Sequence, residues 1–327
     1  MPRTVSRLSL GTRGADVTVV TVASGAERRG RSPSRGPVVV VTANVHGDET
    51  TGVGAVLRLI PLLDATLTHG TVHLYPSLNP EALERRARKV PDDDLDLNRL
   101  FPGDAEGSPA ERLAHAAWTD IAARHPDLVI DLHADAPGAL PYALLDRAVH
   151  LKGQARAELE ADALRLAIAS GLTVLHEYPD DRYTRYRLDR SLSGAILNRL
   201  KIPAVTLEAG PRLHLDDAAV SAMVGGVLGM LHALDMVSEA VEPHASRIGG
   251  GPWRRDSGPR AASSGILFAR TQPGKILQRG TVVAEIRGLN GSVVQELTAD
   301  STGFVVSPAE RTHVVAGVPV CTWAQAE

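Results

Sequence analysis

A single cysteine, Cys321, is all the thiol chemistry this chain possesses. An internal disulfide framework is excluded, and so is any metal centre built from several thiolates. Charge of one sign is lacking too. The 35 lysines and arginines nearly balance 38 aspartates and glutamates, and a net charge of -3 creates no global field for nucleic acid or an anionic membrane. Nor is there a long hydrophobic run. The N-terminal MPRTVSRLSLGTRGADV has no apolar stretch of signal-peptide length, and no later segment approaches a membrane span. The expectation is a soluble cytoplasmic protein with neither nucleic-acid nor membrane partners. P-loop and dinucleotide-binding glycine patterns are missing, and no G-x-S-x-G turn surrounds Ser191 or Ser193, which argues against serine hydrolysis.

What is present is a regular alternation of short apolar runs and helical patterns. The chain is long enough for one large core and a smaller module. Residues 3–25 alternate apolar and polar positions and predict β structure, whereas ERRGRSPSRG (27–36) predicts a solvated loop. Buried strands are predicted at PVVVVTA (37–43), Val72–Tyr75, DLVIDLH (127–133), TVLHEY (173–178) and PAVTLE (203–208). Helices are predicted over 50–63, 110–124, 152–170, 192–200 and 216–235. Such alternation predicts an α/β domain with a mostly parallel or mixed sheet covered by helices. Residues 1–241 are expected to form this catalytic unit. The Gly/Pro/Ser/Arg-rich stretch 242–264 reads as a linker, and 265–327 as a small all-β, barrel-like domain. A weak repeat, beginning at Gly265 and again at Gly303, predicts a pseudo-symmetric barrel or flattened sandwich. The turn GLNGS between the copies carries no lysine, so a swinging-arm carrier is disfavoured. The tail is expected to cover one side of the active-site entrance or to mediate assembly, which leaves a homo-oligomer open.

Parallel sheets place active sites beyond the carboxyl ends of their strands, where His46, His133 and Glu208 fall. His46-Gly47-Asp48-Glu49 puts an imidazole and a carboxylate three residues apart at a strand–helix junction, with Gly47 allowing a tight backbone. A catalytic zinc site typically draws two nearby ligands and one distant one, leaving a position open. His133 supplies the distant ligand. Asp131, two residues earlier on the same strand face, is placed to accept a hydrogen bond from a ligand imidazole. An isolated H-x-x-E is a weak signal.

The ordered set of motifs is more specific. VTANVHGDE, SLNPEALERRARKVPDDDLDLNRLFPG (77–103), DLH (131–133) and LEAG (207–210) resemble the succinylglutamate desuccinylase/aspartoacylase family, relatives of the zinc carboxypeptidases. The resemblance spans residues 38–235, and the tail is similar to the C-terminal region of some deacylases in this group. It implies one zinc ion per chain, held by His46, Glu49 and His133. It implies that Glu208 activates water and passes a proton to the leaving amine, and that Arg88 stabilises the tetrahedral oxyanion. Asn98 and Arg99 match the pair that grips a substrate carboxylate. One departure is the stretch Lys89–Asp96 (KVPDDDLD), longer and more acidic than its aspartoacylase equivalent.

Each assignment has a plainer rival. Glu208 at a strand end also suits a surface salt bridge, the arginines of ERRARK suit a solvated basic run, and Asn98-Arg99 suits a loop brace. DDRYTRYRLDR, with Arg182, Arg185, Arg187 and Arg190, is either a lid that adds an arginine to a carboxylate pocket or a solvated loop. The leading expectation is hydrolysis of a small N-acyl amino acid. The alternatives are a metallocarboxypeptidase acting on peptides and a catalytically silent zinc-binding scaffold.

Overall fold

Runs of valine fix the middle of the molecule. In the computed structural model, which describes residues 3–8, 16–25, 36–240 and 242–327, the chain begins with β1 (Thr4–Leu8), β2 (Val17–Ala23) and β3 (Val38–Ala43). The loop expected over 27–36 lies outside the described residues apart from Gly36. There follow α1 (Thr50–Thr66), β4 (Thr71–Tyr75), α2 (Pro80–Arg85), α3 (Pro109–Ala123), β5 (Leu128–Asp135) and β6 (Tyr142–Leu145). Then come α4 (Gly153–Ala169), β7 (Thr173–His176), α5 (Asp180–Arg185), α6 (Leu192–Ala195), β8 (Ala204–Pro211) and α7 (Asp217–His232). The remainder is all strand: β9 (Trp253–Ser257), β10 (Gly265–Ala269), β11 (Val282–Arg287), β12 (Val293–Thr298), β13 (Gly303–Pro308), β14 (His313–Val314) and β15 (Cys321–Ala326).

Eleven strands form one mixed sheet in the order β1-β2-β4-β3-β5-β8-β6-β7-β9-β15-β13. Its centre, β4-β3-β5-β8, is parallel. The side chains of β3 alternate between two cores. Val39, Val41 and Ala43 join Leu59, Leu63, Leu166, Met223 and Met230 on one face, under α1, α4 and α7. Val40 joins Leu113, Ala117, Ile121 and Ile196 on the other. A strand apolar on both faces is stable only when helices cover both, and this explains why VVVVTA carries no polar alternation. α3 starts at a capping box, with Ser108 accepting from the Glu111 amide and Glu111 reaching back. Among the described residues no helix is long and apolar enough to cross a membrane.

The tail differs from expectation in one instructive way. Residues 253–257, within the stretch read as a linker, form β9, which pairs in parallel with β7 and antiparallel with β15. Trp253 explains the strand. It is buried against Leu140, Tyr142, Leu144, Leu175 and Phe304, with the Phe304 ring edge-on at 5.0 Å. The first repeat copy contributes β10 and β11 to a separate four-stranded antiparallel sheet, β12-β11-β10-β14, and the second sends β13 and β15 into the main sheet. The copies share a core of Leu277, Val283, Ile286, Val305, Val320 and Trp323, as a flattened sandwich would.

Candidate active site

The site starts from a tight turn after β3. Asn44 adopts a left-handed backbone (φ 60°), and its side-chain amide donates to the carbonyls of His46 (2.8 Å) and Glu49 (3.1 Å). Ser77 in turn donates to the Asn44 side-chain oxygen at 2.6 Å. Gly47 is required by a close approach: a Cβ there would lie 2.2 Å from the carbonyl carbon of Ala82 in α2. The HGDE turn is thereby locked against α2, and the chain leaving α2 carries Arg88, Asp96, Asn98 and Arg99 across the ends of the central strands.

His46, Glu49 and His133 are all buried, and one donor atom from each lies within 4.8 Å of the other two. The imidazole centroids stand 5.1 Å apart. Nδ1 of His46 is 2.8 Å from Glu49 Oε1, and Nδ1 of His133 is 2.8 Å from Glu49 Oε2. The far nitrogen of each ring meets a carboxylate of its own, Asp131 at 2.8 Å for His133 and Asp96 at 3.1 Å for His46. Asp131 is fixed by the Thr42 hydroxyl, which donates at 2.7 Å, and Asp96 caps a 3-10 turn at Leu97–Arg99. With each Nε2–H donating to its carboxylate, both Nδ1 lone pairs face the Glu49 carboxylate. A set of acceptors turned on one point needs a cation between them, so the donors present fit a divalent ion.

The electrostatics agree. Burial pushes the Glu49 carboxyl up, but the charges and hydrogen bonds of His46 and His133 outweigh it and hold Glu49 well below the ordinary range. Burial pushes His133 down, yet Asp131 and Glu49 raise it well above the usual imidazole value. Asp96 is likewise held low against its burial by His46, Arg88 and Arg99. A proton is thus retained where an ion would sit, the behaviour of ligands that exchange protons for metal.

Around the cluster lies a cavity of ≈ 140 Å³, lined in part by Arg88, Asn98, Arg99, Glu208, Arg212 and Arg255. Every sequence-predicted site residue therefore reaches this place. Glu208 stands beside His133 in register across β5 and β8, and its carboxyl is pushed up to about 8, chiefly by burial. Arg88 alone of ERRARK turns inward, donating to Glu49 Oε1 at 3.1 Å, whereas Arg85 pairs with Glu81 on the surface. Asn98 braces a loop as well as facing the cavity, since its side-chain oxygen accepts from the Leu192 amide at 2.8 Å. Arg99 donates to the Asn98 carbonyl at 2.6 Å and makes no ion pair among the described residues.

The segment 180–190 is not a free loop. Tyr183 is fully buried and donates to Asp146 at 2.7 Å, and Arg182 is bound to Asp256. None of its four arginines lines the cavity; Arg255 does instead, from β9. Sequence reasoning missed Arg255, Arg212 and Asp96. The first sits in an apparent linker, and the last in a run of aspartates that look alike.

A sequence model described as the succinylglutamate desuccinylase/aspartoacylase catalytic domain matches residues 35–234. The N-alpha-acetyl-L-2,4-diaminobutyric acid deacetylase of Halomonas elongata is 37% identical over 99 residues, which span 30% of this chain and 29% of that enzyme. An aspartoacylase family protein from Mesorhizobium loti superposes with a TM-score of 0.78 at 20% identity, covering 99% of this chain and 95% of that one. A product-bound ectoine utilization protein from Ruegeria pomeroyi gives 0.76 at 18% identity, with 95% and 89% covered. A metallo-carboxypeptidase from Burkholderia cenocepacia gives 0.52 at 19% identity over 71% and 64% of the two chains. These likenesses establish the fold, with a carboxypeptidase-like core.

Proposed function

The chain belongs to the succinylglutamate desuccinylase/aspartoacylase family, and from that premise we propose that it is a zinc-dependent deacylase that hydrolyses the amide bond of a small N-acyl amino acid. The observation that carries the reading is the convergence of His46, Glu49 and His133 at one buried point in the cavity that Glu208 also lines. Two imidazoles and one carboxylate are a common catalytic zinc set. A zinc ion held there supplies Lewis acidity, polarising a carbonyl and acidifying water to a pKa of about 7.

The chain's own groups do the rest. Glu208 takes a proton from the attacking water as the oxygen bonds to the acyl carbon. It then delivers that proton to the departing nitrogen as the C–N bond breaks, giving a carboxylate and a free amino acid. Arg88 donates to the carbonyl oxygen as it gains charge, an interaction strengthened where water is excluded. Asn98, through its side-chain amide hydrogens, and Arg99, through its fork, hold the substrate carboxylate. The name of the Halomonas relative supports acetyl as the first acyl group to test.

The experiment is a turnover screen of zinc-loaded protein against acetyl-, succinyl- and formyl-amino acids, with short peptides as controls. Release of a free amino acid from at least one acyl substrate, and little from peptides, is expected. Glu208→Gln should keep its zinc and lose roughly 10²- to 10⁴-fold in rate, the usual worth of a general base. Cleavage of peptides alone, or undiminished turnover by Glu208→Gln, contradicts the proposal.

A further inference from the structure

The wall of the cavity includes a residue from outside the matched catalytic region. Arg255 lies on β9, beyond residue 234 where the family match ends. β9 presents Trp253 and Arg255 to the same side, and Trp253 is buried in the apolar cluster beneath the cavity. The Arg255 guanidinium is held from two directions. Its Nη1 donates to Glu177 Oε1 at 2.9 Å, and its Cζ stands 5.5 Å from the ring centre of Tyr178.

Those contacts do not exhaust it. The Arg255 Nε is buried without a hydrogen-bond partner among the described residues. The side chain keeps 26% of its surface accessible while Glu177 keeps 4%, and Arg255 lines the cavity. Arg99 lines the same cavity and makes no ion pair among the described residues; burial lowers its pKa, Asp96 and Glu177 oppose that, and Arg88 and Arg255 repel it. Two guanidinium groups lining one small space, Arg99 with no ion pair among the described residues and Arg255 still 26% accessible beside Glu177, form a site for an anion that is not part of the chain. A planar carboxylate between two such forks satisfies both.

We propose that Arg255 is a substrate-binding and specificity-determining residue that, together with Arg99, clamps the free carboxylate of the N-acyl amino acid. The assignment rests on the deacylase reading above. It gives the C-terminal segment a part in the site, because β9 is held in place by β15 from the end of the chain. An amide-capped substrate loses the anion and with it this clamp.

The test separates binding from chemistry. Affinities of N-acetyl-L-alanine and its carboxamide are measured by calorimetry on the full-length, zinc-loaded Glu208→Gln protein and on Glu208→Gln/Arg255→Gln. The parent should prefer the acid by roughly 10- to 100-fold, the scale of charge-assisted hydrogen bonds. Adding Arg255→Gln should reduce that preference by roughly tenfold or more, by weakening the acid and leaving the carboxamide unchanged. Should the glutamine variant fail to fold, Arg255→Lys decides, because an ammonium keeps the charge but not the fork and should lose several-fold of the preference. An undiminished preference in a folded Arg255 variant, or none in the parent, overturns the assignment. Absence of acyl amino acid hydrolysis by the wild-type enzyme instead contradicts the deacylase reading, and the binding data still decide the role of Arg255.

Discussion

In the metal-free protein, burial and neighbouring charge hold a proton on Glu208. Its carboxyl sits at about 8 against an ordinary 4.5, raised first by burial, then by Asp135 and Glu49, while His133 and Arg255 oppose the rise. The sign of the consequence follows from proton binding. The unfolded chain releases this proton near 4.5 and the native chain only near 8, so native stability is lost as pH rises through that window. In metal-free protein the denaturation midpoint should therefore fall more steeply between those values for wild type than for Glu208→Gln. Parallel pH profiles for the two contradict the assignment. At this scale much of the site was legible in the sequence. His46, Glu49, His133 and Glu208 sit in short motifs at strand ends, where chain geometry leaves little freedom. Asp96 was not, because Asp92, Asp93 and Asp94 stand beside it and only the fold selects the one that caps a 3-10 turn and meets His46.

At the scale of elements, the junction between the HGDE turn and α2 is a close contact behind the site. An alanine Cβ at position 47 would lie 2.2 Å from the Ala82 carbonyl carbon and 2.5 Å from its Cβ, so α2 must move away. Gly47→Ala should cost about 1–3 kcal/mol, the usual range for overpacking, and weaken metal binding by displacing Glu49 and Arg88 together. Urea denaturation with metal titration checks this, and an alanine variant with unchanged midpoint and affinity contradicts it. The central strands were readable because β3, β5 and β8 are short, largely apolar runs buried on both faces, a pattern of helix-covered sheets. β9 was not. WRRDS has no apolar alternation, and its strand state depends on partners 78 residues earlier in β7 and 65 to 73 later in β15. The helix expected over 192–200 is helical throughout, α6 passing directly into a π turn at Ile196–Leu200.

At the scale of the whole molecule, the division into a unit of 1–241, a linker and a tail that the sequence suggests runs through one continuous sheet. β9, β15 and β13 extend the edge of the catalytic sheet beyond β7, and β9, from the stretch read as a linker, brings Arg255 into the wall of the cavity. Pairings over such separations are set by tertiary contacts and leave no local pattern, which is why composition alone marked 242–264 as a connector. The molecule thus converges on a single point, where residues 46 and 49 from one turn meet residue 133 from a distant strand. Anomalous diffraction at the zinc edge, from crystals grown with one equivalent of zinc, tests that convergence most directly. One peak per chain is expected between the Nδ1 atoms of His46 and His133 and the Glu49 carboxylate, with Glu208 facing it. A peak elsewhere, or none at that point in fully folded protein, contradicts the account.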